Sequence, residues 1–383
     1  MAHTSPEFET MVRDALEEWK VPGLSISVIS GEDIWAKAYG LAQFPDTEVH
    51  PDSIFDGGST AKCFTAAAVA LPVHDDEAFP GVEWETPVKR LLGDDFVMGG
   101  GISVTYSNMM YTTASYMVEV LSGQGAGIVF STATDYAKWI HALMNRTGPL
   151  SLTVHEELTK PRTIQNTEKE LAPFHSHMLY ALGLVVESYR GRKVIGNDGD
   201  VYGLHSLIRW MPELKWGIVI LGNSEGAFDA AFMLFLWLVD ELLAVPRGER
   251  VDWEEFQHEN NRKAEREEED EVLQSNLESA VPMSLPIEGY VGVYENAGYH
   301  ILRVELKDGK LSADCSDRCF GFELSFKHLP GDCFIVESHD ILGDSTSKIG
   351  AEFRVGEDGY VEQLGVEFVE EMKGELIWFS RLA

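Results

Sequence analysis

Six residues, Gly57-Gly58-Ser59-Thr60-Ala61-Lys62, stand directly before an alanine-rich apolar run, Cys63 to Leu71. Such a run suits a buried helix, so the rest of the chain has to build a core around it. On that helix Ser59 and Lys62 are i and i+3, and their side chains share a face. Serine alone is a poor nucleophile near neutral pH. A lysine within hydrogen-bond reach, desolvated so that part of it is neutral, accepts the hydroxyl proton. The helix N-terminus adds free backbone N–H groups that favour a developing oxyanion. These are the parts needed for acyl transfer. The same pattern also describes a plain helix cap, and a second Ser-x-x-Lys, Ser345 to Lys348, lies in a turn with no apolar helix behind it. Context has to separate the two meanings.

At 383 residues the chain is long enough for two or three domains. The net charge of −33, from 63 acidic and 30 basic residues, excludes nucleic acid and anionic membrane surfaces as expected partners. Met1 to Val12 shows no basic-then-apolar leader, and the longest apolar runs, such as Ala230 to Val239, reach about half a membrane span. Cys63, Cys315, Cys319 and Cys333 lack metal-like pairing and fit a reducing compartment. The expectation is a cytoplasmic protein with free thiols, no metal and no organic cofactor.

Along the chain, Pro6 to Trp19 carries one apolar stripe and reads as a helix. Leu24 to Ile29 and Asp33 to Tyr39 alternate around Gly31 as a β-hairpin. Pro72 ends the serine helix. Met109 to Leu121, Thr134 to Met144 and Ala227 to Leu243 read as helices. Tyr180 to Ser188, Lys193 to Gly196, His205 to Trp210 and Trp216 to Leu221 read as strands. Arg247 to Glu271, with 11 acidic and 5 basic residues, breaks the composition and reads as a solvated linker. Seven short alternating segments follow, 291–294, 301–306, 320–326, 333–336, 351–355, 361–368 and 376–379, as expected of a small β-barrel or sandwich. The expected division is a domain over 1–245, a charged helical linker over 246–284 and a β domain over 285–383.

Three islands occur in a fixed order: Ser59-Thr60-Ala61-Lys62, Tyr106-Ser107-Asn108 and Gly196-Asn197-Asp198-Gly199-Asp200. They resemble the three active-site motifs of the serine β-lactamase and penicillin-binding-protein superfamily, in the form found in class C β-lactamases and their esterase and peptidase relatives. Flanking Val21-Pro22-Gly23-Leu24, Phe64-Thr65-Ala66, Ser131 to Asp135 and Trp216 to Val219 match as well. The resemblance covers roughly residues 8 to 245. The tail, opening with Tyr290-Val291-Gly292-Val293-Tyr294, resembles a lipocalin-like domain appended to some relatives.

The resemblance implies an α+β fold, an antiparallel sheet flanked by helices with a truncated helical subdomain, followed by a small all-β barrel. It implies Ser59 as nucleophile, Lys62 and Tyr106 as proton carriers, and Asn108 holding Lys62 or the substrate amide. The N–H groups of Ser59 and Asp200 would form the oxyanion hole beside Gly199. Asn197 stands where relatives carry Lys or His; an amide keeps a donor but loses the charge, so neutral esters or amides suit the site better than anionic substrates. The connections at 98–104 and 123–127 are shorter than in relatives, which leaves a more open site, a non-catalytic homologue, an alternative transcript product or an edited chain as readings. The function expected is a serine hydrolase taking a small-molecule ester or amide, or a peptide. An acyltransferase using the same acyl-enzyme and a non-catalytic binding protein are the alternatives. His155 to Thr159 lacks the second histidine of a zinc-protease helix and reads as surface, and His175 and His177 read as exposed loop.

Overall fold

The computed structural model describes residues 1–93, 108–122, 129–165, 171–201, 203–263, 266, 281–318, 321–341, 346–368 and 375–382. Tyr106, Ser107 and the shortened connections near 98–104 and 123–127 lie outside them. The described residues divide into two compact units, one within residues 1–258 and the other within 259–383.

In the first unit a nine-stranded antiparallel sheet carries helices on both faces. Its strands are β1 (Gly23–Ser30), β2 (Asp33–Gln43), β3 (Thr47–Glu48), β6 (Thr163–Ile164), β7 (Leu179–Tyr180), β8 (Val185–Tyr189), β9 (Arg192–Val201), β10 (Leu204–Met211) and β11 (Trp216–Gly222). They lie in the order β3-β2-β1-β11-β10-β9-β8-β7-β6. A separate two-stranded sheet joins β4 (Phe55–Asp56) to β5 (Phe130–Ser131).

The central strands explain the layering. β1 and β11 are buried along almost their whole length, so both of their faces need cover. Leu24, Ile26, Ile218 and Ile220 point to one core, shared with α1 (Pro6–Glu18) and α7 (Ala227–Leu242). Ile29, Val219 and Leu221 point to the other, shared with α2 (Lys62–Val73), α5 (Ala133–Asn145) and α6 (Leu152–Thr159). α7 is apolar nearly all round because it lies between sheet and α1. Its one deeply buried acid, Asp240, accepts the hydroxyl of Tyr189 at 2.7 Å and Arg190 Nε at 3.0 Å. Trp253, placed by composition in a solvated linker, packs into the α1–α7 core, so this unit continues to residue 258. Two further helices of this unit are α3 (Val88–Leu92) and α4 (Asn108–Ser122).

Three expectations are corrected. The strand expected over 180–188 is two strands, because Gly183 takes a positive φ of 70° and turns the chain between β7 and β8. His155 is only 4 % exposed: α6 turns Val154, His155 and Leu158 inward together. His175 is not an exposed loop residue; its Nδ1 lies 3.0 Å from Glu187 Oε2 and both side chains are buried, whereas His177 is exposed.

The second unit holds a closed eight-stranded antiparallel barrel: β12 (Gly292–Asn296), β13 (His300–Lys307), β14 (Lys310–Cys315), β15 (Phe322–His328), β16 (Cys333–Asp340), β17 (Thr346–Val355), β18 (Val361–Val366) and β19 (Ile377–Arg381). β19 returns to pair with β12, Tyr294 opposite Arg381, which removes both sheet edges. Arg381 strengthens the seam by donating to the carbonyls of Val291 at 2.6 Å and Gly289 at 3.2 Å. Along the strands side chains alternate inward, and Tyr290, Tyr294, Phe334, Phe353 and Phe379 are buried together in the core of this unit. β14 was not among the strands expected, since Leu-Ser-Ala-Asp-Cys offers few β-branched or aromatic residues.

No described helix is long and apolar enough to cross a membrane. Cys63, Cys315 and Cys333 are free thiols, and burial raises Cys315 to about 11. Burial also lowers the titration of His205, whose two ring nitrogens have no hydrogen-bond partner among the described residues. The unfolded chain therefore binds this proton near pH 6.5 while the native protein binds it only lower, so its contribution is full above pH 6.5 and lost as pH falls. Urea midpoints are expected to drop between pH 7.5 and 5.5, and His205→Phe to narrow the drop. An equal or larger drop in the variant would show that His205 is not responsible.

Candidate active site

Ser59 sits in a 3₁₀ turn, Gly58–Ala61, that runs directly into α2. The turn is tied down before the helix begins. Asp56 Oδ1 accepts the Gly58 N–H at 2.9 Å. The buried hydroxyls of Thr60 and Ser206 both donate to the Gly57 carbonyl, at 2.6 and 2.7 Å, and Tyr136 Oη lies 2.9 Å from Thr60 Oγ1. Burial raises the Tyr136 phenol, which stays neutral and serves as a hydrogen-bonding group. Ser206 is on β10 and Tyr136 on α5, so two elements distant in sequence brace this carbonyl, β10 directly and α5 through Thr60.

Within this frame Lys62 Nζ lies 2.7 Å from Ser59 Oγ. Lys62 is 8 % exposed, and Ser59 is half-buried. The i, i+3 spacing therefore produces the contact expected of it, with the amine enclosed by protein and the hydroxyl still reachable.

The third island lies inside β9, not after it. β8 pairs with β9 over residues 192–196, and beyond Gly196 the strand pairs, among the described residues, with β10. Along that stretch Asn197 and Gly199 face the α2 side. A side chain on Gly199 would overlap Gly57 O and lie 2.8 Å from Ser59 N. One on Gly58, whose φ is +49°, would lie 2.9 Å from Asp200 N. Only glycines allow the turn and the strand to approach this closely, and the approach brings the main chains of Ser59 and Asp200 together. The Asp200 side chain is exposed.

Asn197 has a different part from the one its position implied. It is 6 % exposed, and its Nδ2 donates to the Ser59 carbonyl at 3.0 Å and to the Gly183 carbonyl at 3.2 Å. Its Oδ1 accepts the N–H of Asp198 at 3.0 Å. The donor expected to be left for substrate is engaged in joining the serine turn, the β7–β8 turn and β9. On the opposite face Asp198 pairs with buried Arg209 at 2.6 Å, so this arginine is already matched by a carboxylate.

Of the second island, Asn108 opens α4 and Tyr106 lies outside the described residues. α4 contributes a residue that the motif does not include: the Tyr111 ring centroid is 5.7 Å from Lys62 Nζ. Its signal was its place one turn after Asn108. Among the described residues, one grouping has His and acid oxygens or nitrogens within 4.8 Å of one another, Glu18, Glu254 and His258. It lies on α1 and the helical segment 253–263, apart from the residues around Ser59.

Comparison with known proteins bears on the family and the fold. A sequence model of a family described as Domain of unknown function (DUF3471) matches residues 278–381, which contain the barrel. A protein of Aspergillus campestris described as "Unguisins hydrolase ungD'" is 27% identical, with 98% of this chain and 91% of that protein covered. One of Aspergillus violaceofuscus, "Unguisins hydrolase ungD", is 26% identical with 94% and 87% covered. The first alignment runs over 498 positions against a chain of 383, so that relative carries segments with no counterpart here. Among solved structures, the octameric penicillin-binding protein homologue from Pyrococcus abyssi superposes with a TM-score of 0.50 at 16% identity, covering 98% of this chain and 99% of that one. SurE with D-Leu does so with 0.52 at 16%, covering 98% and 99%. At that identity the likeness speaks for the fold. A model of the family described as Beta-lactamase matches residues 8–105 and 103–238, two pieces that meet where the first shortened connection lies. That match spans more than half of the chain and contains Ser59, Lys62 and the β9 island, and the protein belongs to the beta-lactamase family.

Proposed function

We propose that the protein is a serine hydrolase that cleaves a neutral ester or amide through an acyl-enzyme on Ser59. The observation that carries this reading is the 2.7 Å contact between Ser59 Oγ and the enclosed amine of Lys62. Ser59 Oγ attacks the substrate carbonyl while its proton passes to Lys62 Nζ; by family resemblance Tyr106 shares that transfer. The oxyanion is received by the N–H groups of Ser59 and Asp200, whose main chains the two glycines bring together. The proton then goes to the leaving alcohol or amine, and water attacks the acyl-enzyme and restores the serine. No step calls on a cofactor.

Specificity follows from charge. The Asn197 amide is neutral and engaged by two backbone carbonyls, and the Arg209 cation is paired with Asp198, so neither is left for a substrate carboxylate. Neither 94–107 nor 123–128 contains Lys or Arg. This supports small neutral acyl donors over anionic β-lactams. The named hydrolase relatives make an unguisin the first natural substrate to try. The alternative is a non-catalytic binding protein whose barrel holds an apolar ligand or partner; the retained Ser59–Lys62 contact weighs against it.

A fluorophosphonate probe is expected to add once, at Ser59, and p-nitrophenyl butyrate to be hydrolysed. Ser59→Ala is expected to lose both. Intact mass and peptide mapping read the adduct; no adduct in the wild-type protein, or equal turnover in Ser59→Ala, would sink the hydrolase reading. Lys62→Met should slow acylation by about a hundredfold or more while the protein stays folded by circular dichroism. Gly199→Ala, which pushes β9 away from Ser59 N, should slow it by about a hundredfold; unchanged acylation would remove the Ser59–Asp200 oxyanion site from the proposal.

A further inference from the structure

Lys62 has a second neighbour, besides Ser59, that the three islands do not contain. Tyr111, on the first turns of α4, lies with its ring over the Lys62 amine, Nζ to centroid 5.7 Å. Seven residues on, two helical turns along the same face, Val118 is buried, so Tyr111 stands on the packed side of α4. Its orientation is not left to the helix alone. Tyr180 on β7, 7 % exposed, donates its hydroxyl to Tyr111 Oη at 3.2 Å. Tyr180 also directly precedes the turn whose Gly183 carbonyl receives Asn197. One tyrosine thus fixes the other, from the segment that also braces the serine turn.

An aromatic face carries a negative quadrupole and attracts a cation within about 6 Å. The charge of Lys62 changes during the reaction proposed above: as the Ser59 Oγ–carbonyl carbon bond forms, the hydroxyl proton moves to Nζ and the amine becomes an ammonium. We propose that Tyr111 is a positioning residue for Lys62, its ring face stabilising that ammonium while Tyr180 holds the ring in place. The inference rests on the reading of Lys62 as proton acceptor. It differs from simple packing in a testable way, since packing depends on shape, whereas this role depends on the electron density of the ring.

The test uses the full chain labelled with [ε-¹³C]lysine, with the Lys62 resonance assigned by Lys62→Arg. Tyr111→Leu is expected to move the Lys62 titration midpoint down by about half a pH unit. Tyr111→Phe, which keeps the ring face, is expected to recover most of that shift. Phenylalanines bearing increasing numbers of ring fluorines at position 111 keep the shape and drain the face of electron density; the midpoint should fall step by step with fluorination. They also decide the matter if Tyr111→Leu does not fold. In parallel the acid limb of Ser59 acylation by the fluorophosphonate should move with the midpoint, and its plateau rate drop about threefold in the leucine variant.

A Lys62 midpoint that stays at the wild-type value across leucine and the fluorinated rings would overturn the inference, whether or not Ser59 is acylated. A midpoint that tracks fluorination in a protein whose wild-type Ser59 takes no probe supports the ring–ammonium contact and sinks the hydrolase reading instead.

Discussion

The structure turns on a lysine enclosed next to a serine at the start of a helix. A long amine is expensive to bury unless it is hydrogen-bonded, so its neighbours have to be placed with care. Here the hydroxyl of Ser59 is one neighbour and the face of Tyr111 another. Below them Gly57 is pinned by Thr60 and Ser206, and Asn197 draws the Ser59 carbonyl onto β9. These contacts join α2 to β9, β10 and α5. The Ser59–Lys62 pair is therefore held by the sheet, and the helix alone does not position it.

The two-faced sheet makes this possible. β1 and β11 are buried on both sides, and α7 and α1 cover the face away from Ser59. With that face closed, the other can give up some apolar packing to the hydroxyls, amide and amine of the site. The same division explains why Asn197 and Asp198, adjacent in sequence, do unrelated things: strand alternation sends one to the serine turn and the other to Arg209.

Much of this was legible beforehand. The helices of the first unit, its central strands and the inward alternation of the barrel follow from local periodicity, which needs no partner to be read. Other features were hidden because they depend on residues far apart in the chain. His155 looked polar and exposed until α6 was packed on its apolar side. His175 looked solvated until β8 brought Glu187 to it. β14 lacked strand-forming residues and is a strand because β13 and β15 flank it. Trp253 stood in a charged stretch, and its burial needed α7 to exist first.

By itself the sequence determined the chemistry available: a serine and a lysine three residues apart on a helix, and a glycine-bearing strand to meet them. Periodicity and spacing decide that much, because they act within a few residues. Only the tertiary structure decided how each group is used. It engaged the Asn197 amide with the Ser59 and Gly183 carbonyls, matched Arg209 with Asp198, and set Tyr111 over Lys62 with Tyr180 behind it. Those outcomes depend on which partners reach a polar group first once water is excluded, and segments as far apart as α2, α4 and β9 supply them.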